Sequence, residues 1–75
     1  MILELKQYAP NFHDNPKPYT LRGVESITSS TPYGPGCFAI TIFDTRYFIT
    51  NQFEYVKDVS SEKVFIRDGR WVNDA

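Results

Sequence analysis

The stretch KVFIRDGRW, residues 63–71, carries the strongest fold signal in the chain. Its Asp68-Gly69 pair is flanked by apolar and β-branched residues, a pattern typical of a two-residue hairpin turn. Such a turn needs positive φ at both positions, which glycine adopts freely and aspartate tolerates. We therefore predict a strand over Lys63–Arg67, a turn at Asp68-Gly69 and a return strand over Arg70–Asn73.

The two faces of this hairpin follow from its register. Arg67 lies opposite Arg70, and successive strand residues point to opposite sides of a sheet. Alternation places Phe65, Arg67, Arg70 and Val72 on one face and Val64, Ile66, Trp71 and Asn73 on the other. Arg67 and Arg70 beside Phe65 would form a cationic spot suited to a carboxylate or a phosphate. The alternative is a pair of solvated arginines that are compensated by nearby acids and have no binding role.

Four segments before residue 51 also have strand patterns, with alternating apolar residues or many β-branched and aromatic side chains. The apolar residues change parity after Leu21, so we predict a bulge at Gly23. Asp44-Thr45 is expected to turn the chain between the last two of these strands. The predicted strands are Ile2–Tyr8, Tyr19–Thr28, Cys37–Phe43 and Arg46–Thr50.

The segment after the fourth strand fits two interpretations. Ile49, Phe53 and Val56 have the spacing of one helix face. The close succession of aromatic and β-branched residues favours a strand instead. We predict a helical turn over Thr50–Phe53, followed by a strand over Glu54–Val59.

Together these segments predict an all-β fold, a small single-sheet meander or a partly open barrel. It would have about six short strands and at most one or two helical turns. Residues 1–75 are expected to form one domain. Irregular loops are expected at 11–18 and 29–36, where proline, glycine and asparagine accumulate, and a polar tail at 73–75.

The second of these loops contains the stretch STPYGPGCF, residues 30–38. Its prolines and glycines form a stiff joint that would lift Tyr33 either as a lid over the barrel end or as an exposed anchor. A phosphate cradle is disfavoured, because such glycine loops open into a helix and a strand follows here. Cys37 is expected to be a small apolar strand residue.

Composition excludes several function classes. With one histidine, His13, and one cysteine, the chain lacks the ligands of a structural zinc site and cannot form an internal disulfide. No nucleophile motif is present, and we expect neither an enzyme nor a bound cofactor or metal. No apolar stretch approaches the length of a membrane span and no signal-peptide pattern occurs, so a cytoplasmic protein is expected.

Two function hypotheses remain. The first is a non-enzymatic interaction protein, an inhibitor or accessory subunit that binds another protein through aromatic and arginine anchors or an open strand edge. The alternative is a small barrel that binds single-stranded nucleic acid, although the net charge of −1 does not favour it. A homodimer through a strand edge is a further expectation. The candidate binding residues are Arg67, Arg70, Phe65, Trp71, Tyr33, Arg46 and Tyr47.

Overall fold

A computed structural model describes residues 1–9, 16–50 and 52–73 of the chain. Within these residues eight strands form two antiparallel sheets, and the predicted all-β class is confirmed. The strands are β1 (Leu3–Gln7), β2 (Tyr19–Leu21), β3 (Ser26–Ser29), β4 (Phe38–Ile42), β5 (Thr45–Ile49), β6 (Phe53–Asp58), β7 (Val64–Arg67) and β8 (Arg70–Trp71). A 3₁₀ turn, Thr31–Tyr33, connects β3 to β4.

The strand order differs from a single meander. The five-stranded sheet has the order β2-β1-β6-β7-β8, and the three-stranded sheet has the order β3-β4-β5. The predicted strand Tyr19–Thr28 is divided between the two sheets, and Gly23, at φ +73°, lies in the connection. The parity change after Leu21 therefore marks a change of sheet, and the prediction of a bulge at Gly23 is wrong.

The hydrophobic core is built from both sheets. The Phe38 ring of β4 lies 5.9 Å from the Phe53 ring of β6, measured between centroids. Val24, in the connection between β2 and β3, is also buried. The buried cluster comprises Leu3, Leu5, Val24, Phe38, Ile40, Phe53, Val56, Phe65 and Ile66. Packing of the two sheets against each other compensates for the small size of each one.

A bulge in β6 explains the ambiguous spacing before Val56. Lys6 pairs with Tyr55 and Gln7 with Phe53, so Glu54 is an extra residue on β6. The extra residue shifts the alternation, and Phe53 and Val56 both reach the core although they are three positions apart. Phe53 is the first residue of β6, which corrects the predicted helical turn at that position; Asn51 lies outside the described residues.

A second bulge, in β7, changes the predicted faces of the last hairpin. Lys57 pairs with Val64 and Val56 with Ile66, which leaves Phe65 as the extra residue. Phe65 and Ile66 are therefore both buried, although they are adjacent in sequence. The prediction that strand alternation places Phe65 on the same face as the two arginines is wrong for this reason.

The two hairpin turns of two residues, in β4–β5 and β7–β8, have both residues at positive φ. Asp68 and Gly69 form the turn predicted for the last hairpin, and Arg67 pairs with Arg70 as expected. The β4–β5 turn is formed by Phe43 and Asp44, at φ +50° and +61°, one position earlier than predicted.

The segment after the 3₁₀ turn joins the two sheets at one end of the molecule. The backbone N–H of Trp71 donates to the carbonyl oxygen of Pro35 at 2.8 Å. A Cβ atom added to Gly36 would lie 2.4 Å from the carbonyl oxygen of Gly69. Only glycine allows this close approach, so the loop is a structural joint between β4 and the last hairpin.

Candidate functional site

The exposed aromatic side chains are concentrated on the three-stranded sheet and its connecting loop. Among the described residues the four most exposed aromatics are Phe43 (89%), Tyr33 (77%), Phe48 (60%) and Tyr47 (48%). Three of them belong to the β4–β5 hairpin, and Tyr33 belongs to the 3₁₀ turn. Large exposed apolar groups that cluster in this way are typical of binding surfaces rather than of scattered surface residues.

Two side chains of β5 and one of the 3₁₀ turn form a row that we call the aromatic face: Arg46, Phe48 and Tyr33. Phe48 pairs with Ala39 and Arg46 with Thr41, on the side of the sheet opposite the core. The ring centroids of Tyr33 and Phe48 are 6.2 Å apart in an edge contact. The guanidinium carbon of Arg46 lies 5.5 Å from the centroid of the Phe48 ring. These contacts hold the exposed groups in fixed relative positions.

A groove of about 290 Å³ lies beside the aromatic face. Buried Cys37 lies in it, and its Sγ donates to the carbonyl oxygen of Tyr33 at 3.4 Å. The lining is mainly apolar and consists of Ser30, Tyr33, Cys37, Phe48, Ile49 and Thr50. An apolar side chain of a partner would fit this space.

The charge of Arg46 is not neutralised within the described part of the chain. Its guanidinium donates to Thr28 Oγ1 at 3.3 Å and forms no ion pair with a described residue. A guanidinium above an exposed ring can bind a carboxylate in the plane of its N–H groups. The aromatic face therefore combines apolar contact area with one free positive charge.

On the outer face of the five-stranded sheet, the charged groups around Tyr55 are paired with one another. Lys6 forms an ion pair with Glu54. Tyr55 Oη donates to Glu4 Oε2 at 2.6 Å, and Lys57 Nζ lies 3.7 Å from the same oxygen. The hydrogen bond to the Glu4 carboxylate, with partial burial and the negative charges of Glu4 and Glu54, raises the pKa of Tyr55 to about 12. These charged side chains and the Tyr55 phenol therefore have a structural role in linking β1 to β6.

The candidate residues of the last hairpin do not form one site. Arg67 and Arg70 are exposed and opposite each other, and neither forms an ion pair with a described residue. Phe65 and the half-buried Trp71 pack against the core, with ring centroids 5.8 Å apart. Arg67 instead borders a depression of about 280 Å³ that it shares with Glu54, Tyr55, Lys57, Val64 and Asp68.

The structure separates Tyr47 from its neighbour Arg46. Tyr47 pairs with Ile40, which belongs to the core, so the two residues lie on opposite faces of β5. Tyr47 is still half-exposed because β5 is the outermost strand of its sheet. Of the sequence candidates, Tyr33 and Arg46 are the two that belong to the aromatic face, where each contacts Phe48.

Sequence reasoning missed Phe43 and Phe48 as site residues. The signal for Phe48 was its two-residue spacing from Arg46, which places both side chains on one face of the strand. The signal for Phe43 was weaker, since a phenylalanine at a turn position with positive φ is unusual.

No group of three or more metal-ligating side chains occurs among residues 1–9, 16–50 and 52–73, and His13 lies outside these ranges. None of the described elements is a helix with the length and hydrophobicity needed to cross a membrane. Comparisons with protein-family models, curated proteins and solved structures found no match to this chain.

Proposed function

We propose that this chain is a non-enzymatic interaction protein that binds another protein through the aromatic face. The observation that carries the proposal is the concentration of exposed aromatic rings on the three-stranded sheet, held by the Tyr33–Phe48 and Arg46–Phe48 contacts. In this proposal the protein acts in the cytosol as an inhibitor or accessory subunit of its partner.

The residue types on this face favour a protein partner. Tyrosine, phenylalanine and arginine are enriched at the centres of protein interfaces, where rigid side chains bury much area at a small entropic cost. Arg46 and Phe48 project from a strand that is paired with β4, so little reorganisation is needed on binding.

The chemistry of the face also defines what the partner presents. The unpaired guanidinium of Arg46 favours an Asp or Glu carboxylate. The groove beside Tyr33 favours an apolar side chain a few ångströms away. We therefore expect a partner surface with an acidic residue next to an exposed aliphatic or aromatic side chain.

Single-stranded nucleic acid is the competing ligand, because exposed rings can also stack on bases. The aromatic face carries one cation, Arg46, whereas a nucleic-acid groove needs several cations to follow the phosphates. Affinity for a labelled oligothymidylate that falls steeply with salt would support nucleic acid and contradict the proposal.

The test begins with capture from a nuclease-treated lysate and continues with a captured protein that has been purified. Its affinity for the wild-type chain is compared with that for Phe48→Ser and Arg46→Glu by calorimetry. We expect each substitution to weaken binding by about tenfold or more, as for interface anchors.

Val59→Ser is the matched control, since Val59 is an exposed apolar residue outside the three-stranded sheet. Equal affinity of Val59→Ser and wild type, with weak binding of the other two variants, supports the proposal. Unchanged binding of Phe48→Ser and Arg46→Glu would overturn it.

A further inference from the structure

The free edge of β5 is the least protected strand edge in the described part of the chain. The strand order leaves four edge strands: β2, β8, β3 and β5. A strand edge exposes backbone N–H and C=O groups that can pair with another chain unless the fold blocks it. The four edge strands differ in how far the fold prevents pairing with another chain.

The first two edges are short and blocked. β2 has three residues and follows Pro16 and Pro18, which cannot donate to a ladder. β8 has two residues, and the backbone N–H of Trp71 is used by Pro35.

The outer side of β3 faces the five-stranded sheet, although three of its four residues are exposed. It borders a cleft of about 570 Å³ whose other wall includes Phe65 and Trp71 of the five-stranded sheet. β5, in contrast, has five residues without proline or glycine, and its first four residues are exposed.

The hairpin geometry fixes which groups of β5 face outward. In a two-residue hairpin the residues that flank the turn are hydrogen-bonded to each other, and such pairs alternate with non-bonded pairs along the ladder. Ile42 and Thr45 flank the turn, so Tyr47 also bonds to β4. The N–H and C=O groups of Arg46 and Phe48 therefore point away from the sheet.

We propose that a second copy of this chain pairs with β5 in antiparallel orientation, with the two-fold axis at Tyr47. Tyr47 is the middle residue of the strand, so this register pairs all five residues, Thr45–Ile49, with those of the second copy. The outward groups of Arg46 then bond to those of Phe48 in the second copy, and the two sheets continue as one six-stranded sheet.

The positions of the charged side chains favour an axis at Tyr47 over an axis at Arg46. With the axis at Tyr47, each Arg46 lies opposite a Phe48 and repeats the cation–ring contact present within one chain at 5.5 Å. With the axis at Arg46, two guanidinium groups would lie directly opposite, which is destabilising. The dimer joins two aromatic faces into one surface, so the inference deepens the proposed function and rests on it for its biological meaning.

Disulfide trapping in the full chain tests the register. Tyr47→Cys would place two thiols across a non-bonded pair with Cα atoms about 4.5 Å apart, a distance that a disulfide spans. Thr45→Cys, on the same side of β5, would hold the two Cα atoms about 13 Å apart. We expect the Tyr47→Cys dimer to form at least about tenfold faster under mild oxidation, because pairing raises the local thiol concentration.

Wild type, whose single Cys37 is buried, is the blank for this measurement. Equal rates for the two cysteine variants would overturn the inference. Trapping through Phe48→Cys instead of Tyr47→Cys would overturn the register.

Sedimentation velocity provides a second measurement without a cysteine. Wild type should shift with concentration from its 8.7 kDa monomer towards twice that mass. Arg46→Pro removes an outward N–H without taking a donor from the β4 ladder and should remain monomeric, whereas Arg46→Ala should still associate. A wild type that stays monomeric at all concentrations, or binds only an extended segment of another protein, contradicts self-pairing.

Tyr47→Lys distinguishes this inference from the proposed function. It places like charges across the axis but leaves Tyr33, Phe48 and Arg46 unchanged. We expect a monomer that still binds the captured partner. Loss of partner binding with retained dimerisation in Phe48→Ser would support both the aromatic face and backbone pairing of β5. A dimer that persists in Tyr47→Lys would contradict the axis.

Discussion

Tyr55 is the side chain whose protonation is tied most closely to the fold. Its phenol donates to the Glu4 carboxylate of the neighbouring strand, and its pKa rises from 10.0 to about 12. The proton is retained because deprotonation would remove the hydrogen bond and place a second negative charge beside Glu4.

The raised pKa predicts a stability loss at alkaline pH. Below pH 10 both the folded and unfolded forms hold the Tyr55 proton, and the stabilising contribution is complete. Between pH 10 and 12 the unfolded form loses the proton first, so the free energy of unfolding falls as pH rises. Urea unfolding across this range should show a shallower fall for Tyr55→Phe than for wild type.

Absorbance titration of the five tyrosines checks the same assignment spectroscopically. One phenol should titrate late in wild type, and Glu4→Gln should return it towards the ordinary tyrosine range. A late phenol that persists in Glu4→Gln would show that the Glu4 carboxylate is not the cause.

Ile66 tests the contribution of the β7 bulge to the core. It is fully buried, so Ile66→Ala should lower the free energy of unfolding by about 2–5 kcal/mol. Val59→Ala, at an exposed position, should change it by less than about 0.5 kcal/mol. Chemical denaturation of both variants makes the comparison, and equal losses would place Ile66 outside the core.

Among the secondary-structure elements, the β4–β5 hairpin has a turn with an unfavourable backbone conformation at an exposed residue. Phe43 has φ +50°, a left-handed conformation that is unfavourable for a bulky residue, and its ring is solvent-exposed. Strain at an exposed residue is characteristic of functional surfaces.

Phe43→Asn should therefore stabilise the hairpin by about 1 kcal/mol, because asparagine tolerates the left-handed region. Thermal unfolding measures the gain. Asp44→Ala is the opposing control, since it removes a turn-forming residue at φ +61° and should destabilise the chain. A Phe43→Asn variant that is less stable than wild type would indicate that the Phe43 ring packs within the fold.

Across the whole molecule, the loop that ends at Cys37 determines how the two sheets are joined. Gly36→Ala would bring a methyl group against the backbone of Gly69, so the loop must move away from the last hairpin. We expect a loss of stability and a shift in the emission of Trp71, the single tryptophan, whose backbone N–H donates to the carbonyl oxygen of Pro35.

Gly23→Ala is the comparison for this variant. A Cβ at Gly23 meets nothing within 4 Å, so its cost comes from the backbone conformation at φ +73°. Trp71 emission should then stay at the wild-type wavelength. An identical emission shift in both variants would contradict a local joint between Pro35 and Trp71.

The sequence predicts the local elements of this fold better than their assembly. Asp68-Gly69 identified the last hairpin because both residues suit positive φ. The pattern of Cys37–Phe43 identified β4, which is the central strand of its sheet. These signals depend on residues that are close in sequence.

The errors in strand faces and sheet order have physical causes that the simple alternation of apolar and polar residues does not reveal. The extra residues Glu54 and Phe65 shift the alternation within β6 and β7, and Gly23 directs the chain into a second sheet. Of the site, Tyr33 and Arg46 were recognisable by residue type. Phe48 has a two-residue spacing from Arg46 that places both on one face, but alternation alone does not tell which face of β5 is exposed.

The position of β1 in its sheet has a consequence for synthesis. β1 pairs with β6, so Leu3 is paired with Asp58, a residue that is distant in the sequence. The centre of the five-stranded sheet is therefore missing until residues 53–58 have left the ribosome, and the nascent amino-terminal strand must remain unpaired on that side. Such distant pairing slows folding, and we expect this chain to fold in milliseconds to seconds rather than microseconds.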